Sequence, residues 1–210
     1  MFGGVNMNLI AESIELGDYL NELPVVNFSH ELIKQRTRML FSDELNDIEK
    51  VKIAYEYVRD EIAQSLDIDS QYVPCKASDV LNYGEGVCFA KANLLAAILR
   101  LQTIPTGFCY QRLLIQGNIE NGYALHALNA VFIPSLNRWI RLDARGNKEG
   151  HFGEFSINEE ILPYEPNEKL GEKDYPIIYT KPNIDAMRVL ERSTDAHKMY
   201  RYDLPSAILI

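Results

Sequence analysis

The sequence is short of cysteine, and what it has cannot pair off. Cys75, Cys88 and Cys109 are three in 210 residues, and no two of them stand in a Cys-x-x-Cys spacing. A disulfide framework or a cysteine-rich zinc site therefore finds no support, and at least one thiol is free. Positive charge is scarce as well: 21 Lys and Arg against 30 Asp and Glu leave a net charge of −9. A surface with that balance repels phosphate backbones and anionic lipid, so neither nucleic acid nor membrane is an expected partner. Long apolar runs are missing. The most apolar stretch, Ala92 to Leu101, is too short to cross a bilayer and has Lys91 and Arg100 near its ends. The opening Met-Phe-Gly-Gly-Val-Asn-Met-Asn has neither the basic nor the apolar section of an export signal. The expectation is a soluble, cytoplasmic protein whose thiols stay reduced.

Repeats, low-complexity segments and Pro/Gly/Ser-rich linkers are absent too. Gly84 and Gly86 lack the Lys and Ser/Thr that a phosphate loop needs at fixed offsets; they read as a sharp turn. His30, His151 and His197 lack the spacing of metal ligands and read as surface or local structure, so no metal is expected.

With 47% hydrophobic and 24% charged residues, the composition is that of a globular protein able to bury a core. Ile48, Val51, Tyr55, Val58 and Ile62 recur at steps of three and four, which predicts an amphipathic helix from about Asp43 to Leu66, capped by Ser42 or Asp43. A shorter helix is expected over Ser29 to Leu40, and one helical turn over Ala77 to Leu81 within a turn-rich stretch. From Cys88 to Leu101 almost every position is apolar, the mark of a helix buried all round. After Pro105 the pattern turns extended: Phe108 to Ile115, Ala124 to Ile133 and Arg138 to Leu142 read as antiparallel strands joined by hairpins. Prolines then break up the remainder, apart from a helix expected after Asn183. The fold class is α+β, a central buried helix packed on an antiparallel sheet.

That layout places chemistry. A nucleophilic thiol needs stabilisation as thiolate, a base and a group to orient the base. Cys88 opens the buried helix, where the positive end of the macrodipole favours an anion. His126 lies in a strand of the sheet that the helix packs on. Asp143 ends the next strand, Trp139-Ile140-Arg141-Leu142-Asp143, and both residues stand about equally far from the hairpin centre near position 135, so the two meet. Asp143 has Arg141 and Arg145 as alternative partners. Cys75 and Cys109 have no comparable company and read as structural. Trp139 reads as core.

Four segments in this order resemble the transglutaminase-like superfamily: Gly86-Val87-Cys88-Phe89-Ala90-Lys91-Ala92-Asn93-Leu94-Leu95, Ile104-Pro105-Thr106-Gly107, His126-Ala127-Leu128-Asn129-Ala130-Val131 and Trp139-Ile140-Arg141-Leu142-Asp143. They match a G-x-C helix start, a "GIP" turn, an H-x-x-N-x-V strand and a W-x-x-x-D strand, over roughly residues 72 to 146. The resemblance implies a papain-like core with Cys88 as nucleophile, His126 as base and Asp143 as orienter. It also suggests an oxyanion donor upstream of the nucleophile, for which Gln71 is the candidate beside the backbone N–H of Cys88. Where the family has a small residue and Arg after the turn, this chain has Thr106-Gly107, at a position expected to shape the substrate cleft. The chain then reads as one domain over 1–210: an N-terminal helical region 1–70, a catalytic core 71–146 and an irregular extension 147–210. Its Tyr- and Pro-rich tail is apolar enough to pack on the core, on a partner or over the cleft.

The implied activity is acyl transfer from a peptide, protein or small amide through a thioester, with no cofactor. Hydrolysis is favoured over crosslinking, because 210 residues leave little room for additional domains. A catalytically idle binding module that kept the fold, and an arylamine-type N-acyltransferase using an acyl-thioester donor, are the other readings. The sequence leaves the substrate and the oligomeric state open.

Overall fold

His30 and Asn46 each start a helix by offering a side-chain acceptor to amides that have no carbonyl one turn back. His30 accepts from the amide of Leu32 and opens α1, Glu31–Leu40. Asn46 accepts from the amide of Glu49 while Glu49 reaches back to the Asn46 amide, a capping box that opens α2, Asp47–Asp60. This box sets the start of α2 later than Ser42 or Asp43. Its end also comes earlier than Leu66, because residues 63–64 pair with a neighbouring segment instead. Helix α3, Ala77–Tyr83, closes on Gly84 in the left-handed conformation, φ 71°. Ser78 lies in the first turn of α3, and its hydroxyl accepts from Asn27. Helix α4, Cys88–Leu101, is followed much later by α5, Ile184–Arg192, which Asn183 caps.

The computed structural model describes residues 7–208. The first six residues, part of the stretch read for an export signal, and Leu209 and Ile210 of the apolar tail lie outside the described residues. Among those described, eight strands run in chain order: β1 Ile10–Ala11, β2 Ala63–Gln64, β3 Glu85–Gly86, β4 Thr106–Leu114, β5 Tyr123–Ile133, β6 Arg138–Leu142, β7 Lys173–Asp174 and β8 Ile177–Ile178. The main sheet is antiparallel with order β6-β5-β4-β7. Strands β4, β5 and β6 are the three expected ones; β7 was hidden because only two residues pair. β1 pairs with β8 and β2 with β3, both in parallel.

Every residue of α4 from Phe89 to Arg100 is buried, so the helix needs cover on all sides. Helices α1, α2 and α3 supply it from one direction with Ile33, Val51, Tyr55, Val58 and Val80, and the sheet from the other with Leu125, Ala127 and Val131. The opposite sheet face carries a second small core of Cys109, Leu128 and Ala130 under Tyr19 and Ile178. Trp139 packs edge-on against Tyr19 and Phe132, as a core residue. No helix among the described residues is long and apolar enough to cross a membrane.

Two cations in α4 are inside rather than at a solvated rim. Arg100 is 2% exposed and donates to the carbonyls of Asn21, Thr106 and Thr180, tying the N-terminal segment and the residues after β8 to the end of the helix. Lys91 is 1% exposed.

Gly107 marks where β4 runs closest to its surroundings: a Cβ there would stand 2.9 Å from the Tyr179 carbonyl and 3.1 Å from the Tyr19 ring, and would overlap Ile178. Backbone cannot give way as a side-chain tip can. Gly107→Ala is therefore expected to cost about 1–3 kcal/mol in chemical denaturation. Gly17→Ala, with nothing within 4 Å, should stay within about 0.5 kcal/mol of the parent. Equal stability of the two variants would contradict this packing.

Candidate active site

Cys88 is the first residue of α4, and its N-cap Val87 has no side chain to offer the first-turn amides. Those amides stay free for an anion, and the helix adds its positive end. The approach is set by Gly86, where a Cβ would lie 3.1 Å from that of Ala90; the missing side chain lets the chain turn directly into the helix. Cys88 is half-buried, whereas Cys75 and Cys109 are buried and free. Burial pushes both of their thiols up to about 12, which keeps them protonated and inert.

His126 and Asp143 meet. Strand register pairs Asn129 with Leu142 and Ile133 with Arg138. Extending it puts Asp143 opposite Leu128, one diagonal step from His126 on the same face. His126 Nε2 lies 2.5 Å from Asp143 Oδ2, and both residues are buried, 8% and 2% exposed. The other carboxylate oxygen, Oδ1, accepts from the Arg145 amide at 2.9 Å. The arginines named as alternative partners are engaged elsewhere: Arg141 with Glu160 and Asp174, Arg145 with Asp67. With Nε2 committed to Asp143, Nδ1 is the nitrogen left to face Cys88, whose sulfur is near enough to help hold the proton on the ring. Burial alone would lower the imidazole pKa; Asp143 and Cys88 together outweigh it and push it up to about 10. The ring is thus held as imidazolium beside a sulfur.

Cys88 and His126 open onto a cleft of about 880 Å³. Several of its residues carried no sequence signal. Tyr164, from the irregular extension, sets its ring edge-on to His126 with centroids 4.9 Å apart and stacks obliquely on His151. Its place is fixed by chain far from the core motif, so no local pattern announced it. His151 and His197 also line the cleft, as do Tyr200 and Leu204 of the C-terminal turn.

Gln71 does not reach this site. It is exposed, does not line the cleft, and its carbonyl accepts from Ala196. Gln64 stands there in its place. The parallel pairing of β2 with β3 sets Gln64 beside Gly86, two residues before Cys88. Its side chain lines the cleft, and its Oε1 is buried without a partner. Thr106 and Gly107 do not line the cleft either: Thr106 is held by Arg100, and Gly107 faces Ile178. That departure from the family pattern is a matter of packing.

Comparison with known proteins supplies the family. The family model described as the transglutaminase-like superfamily matches residues 34–144, more than half of the chain. A provisionally assigned cysteine protease from Cytophaga hutchinsonii shares the fold with a TM-score of 0.50 at 17% identity, over 63% of this chain and 43% of that one. A provisionally assigned protease from Parabacteroides distasonis (TM-score 0.41, 15% identity) is covered over 30% of its length and covers 80% of this chain. A structure described as a TGase (TM-score 0.43, 15% identity) is covered over 52% and covers 88% of this chain. The chain thus spans about half or less of each. No curated protein matches the sequence significantly.

Two outcomes are expected. Near pH 6, iodoacetamide should alkylate one thiol rapidly, and Cys88→Ala should abolish that fast phase; three slow, equal thiols would remove the basis of the assignment. Stability should also follow the imidazole. Because the folded His126 holds its proton to about pH 10 and an unfolded histidine only to about 6.5, its contribution is complete below about 6.5 and is lost as pH rises to about 10. Thermal midpoints should fall across that window more steeply for the parent than for His126→Gln.

Proposed function

The chain belongs to the transglutaminase-like superfamily, and from that we propose that it is a thiol enzyme that transfers acyl groups from amides through a thioester on Cys88. The observation that carries this reading is His126, hydrogen-bonded to Asp143 and lining an open cleft together with Cys88. The reacting form is the thiolate of Cys88 facing the imidazolium of His126. Sγ attacks the carbonyl carbon of the substrate amide, and the oxygen takes up the negative charge. The backbone N–H of Cys88 and Nε2 of Gln64 donate to that oxyanion, two fixed dipoles in a largely dry site. His126 Nδ1–H then protonates the leaving nitrogen, the C–N bond breaks, and a thioester remains. The neutral imidazole next deprotonates the incoming acceptor, whose oxygen or nitrogen displaces Sγ. Water as acceptor completes hydrolysis, and a primary amine completes transamidation.

Asp143 does not touch the substrate. It fixes the tautomer and direction of the imidazole, the part the third member plays in other triads. Tyr164 limits water at the ring. Peptides, proteins and small amides are the substrate class, since the cleft combines apolar walls from Leu113, Leu125 and Phe152 with polar groups from Gln64, Gln116 and Arg145.

An activated ester such as p-nitrophenyl acetate tests the chemistry before a natural substrate is known. Mass spectrometry should find one acetyl group on Cys88 and none in Cys88→Ala. Asp143→Asn should lower the acylation rate by about 10⁴-fold, and Gln64→Ala by about 10²–10³-fold, while Gln71→Ala leaves it unchanged. Discharge of the acyl-enzyme by cadaverine against water reports the acceptor, and acyl-coenzyme A turnover would instead mark an N-acyltransferase. A chain that never acylates is an idle binding module.

A further inference from the structure

Lys91 lies one helical turn beyond Cys88 and is 1% exposed, yet it takes no part in the chemistry above. Its ammonium reaches three backbone carbonyls: Ile62 at 2.5 Å, Arg145 at 3.0 Å and Arg59 at 3.3 Å. These carbonyls belong to two stretches far apart in sequence, 59–62 and 145. Arg59 is in the last turn of α2, Ile62 leads directly into β2 and Gln64, and Arg145 follows Asp143 by two residues. The Arg145 peptide is used from both sides, since its N–H holds Asp143 Oδ1. These contacts run around the site: Cys88 and Lys91 share α4, Lys91 holds Arg145, Arg145 holds Asp143 and Asp143 holds His126, which lines the same cleft as Cys88. The loop is moulded to the ammonium as well. Gly146 has φ +103°, and a Cβ there would stand 3.5 Å from Lys91 Nζ and 3.3 Å from the Arg59 carbonyl.

We propose that Lys91 is a positioning residue, clamping the Asp143 loop and the Gln64 strand at a fixed distance from the helix that carries Cys88. The proposal rests on the thiol-enzyme reading of the site. An ammonium donates three hydrogen bonds and accepts none, so it suits a point where three carbonyls converge. A single side chain then fixes both the orienter and the oxyanion donor against the nucleophile. Placement matters on the scale of an ångström for such chemistry. Burial draws the Lys91 pKa down to about 7, against the pull of Asp143 and with Arg145 pushing it lower; Asp60 and Asp67 are the other charges near it. The clamp is mostly charged at pH 6, which makes that pH the condition for a test.

The experiment compares alkylation of Cys88 by iodoacetamide across pH in the parent, Lys91→Met and Gly146→Ala, with thermal midpoints measured alongside. Lys91→Met keeps the length and removes the donor; Gly146→Ala keeps the lysine and forces the loop away from it. Loosening these contacts weakens the hold of Asp143 on His126. Both variants should shift the acid limb of the alkylation profile upward by about one pH unit, about tenfold in rate at pH 6. The low-field imidazole N–H resonance of His126 should broaden or disappear. A role confined to fold stability would lower the thermal midpoint and leave the profile and the resonance in place; that result overturns the proposal. If Lys91→Met does not fold, Gly146→Ala decides alone by the same two readouts. If the parent itself has no fast phase, the thiol-enzyme reading falls and this proposal with it. A fast parent with unchanged variants overturns the clamp only.

Discussion

Helix α4 has no face to give to water, and the surrounding architecture answers that constraint. A helix apolar all round must be enclosed, so three helices close it on one side and an antiparallel sheet on the other. Enclosure leaves only the ends free to do anything else. The C-terminal end is sealed by Arg100 and its three carbonyl partners. The N-terminal end opens on the cleft, with its amides free and Cys88 half-buried. The same packing that makes the core therefore presents a sulfur at a helix terminus beside strand β5.

Much of this was legible in the chain, and what was not has a physical reason. Apolar residues run through Cys88–Leu101 without a break, so the buried helix needed no other signal. Alternation and turn residues located β4, β5 and β6, and a short hairpin forces positions equidistant from its centre together, which is how His126 and Asp143 could be paired. Helix ends were less legible. Asn46 and Glu49 outcompeted Ser42 and Asp43 because a capping box satisfies two amides at once. At the other end, residues 63–65 left the apparent helix because the carbonyls of Gly84 and Gly86 offered partners to the amides of Ala63 and Ser65. No periodicity in residues 61–66 encodes that exchange.

Tyr164, His151 and Tyr200 were illegible for another reason. They come from a stretch rich in proline and poor in regular structure, where no period relates sequence to position. That stretch is held to the core by side chains instead. Arg141, 5% exposed, grips Glu160 and Asp174, and Arg112 holds the carbonyls of Gly171 and Ser206. The extension is thus tied to the sheet by charges from β4 and β6, and the cleft wall it forms depends on those ties. Buried cations recur here as fasteners because guanidinium and ammonium groups can join several carbonyls at one point, provided that every donor is met.

The unequal placement of the three sulfurs also determines what oxidants do to this protein. Cys75 and Cys109 are sealed in apolar surroundings, and only Cys88 faces solvent. A sulfenic acid formed on it has no accessible second cysteine in the same chain to condense with, so the damage cannot be parked as an internal disulfide. Recovery depends on a small thiol entering the cleft from outside, and the mouth that admits substrate is also the route of repair.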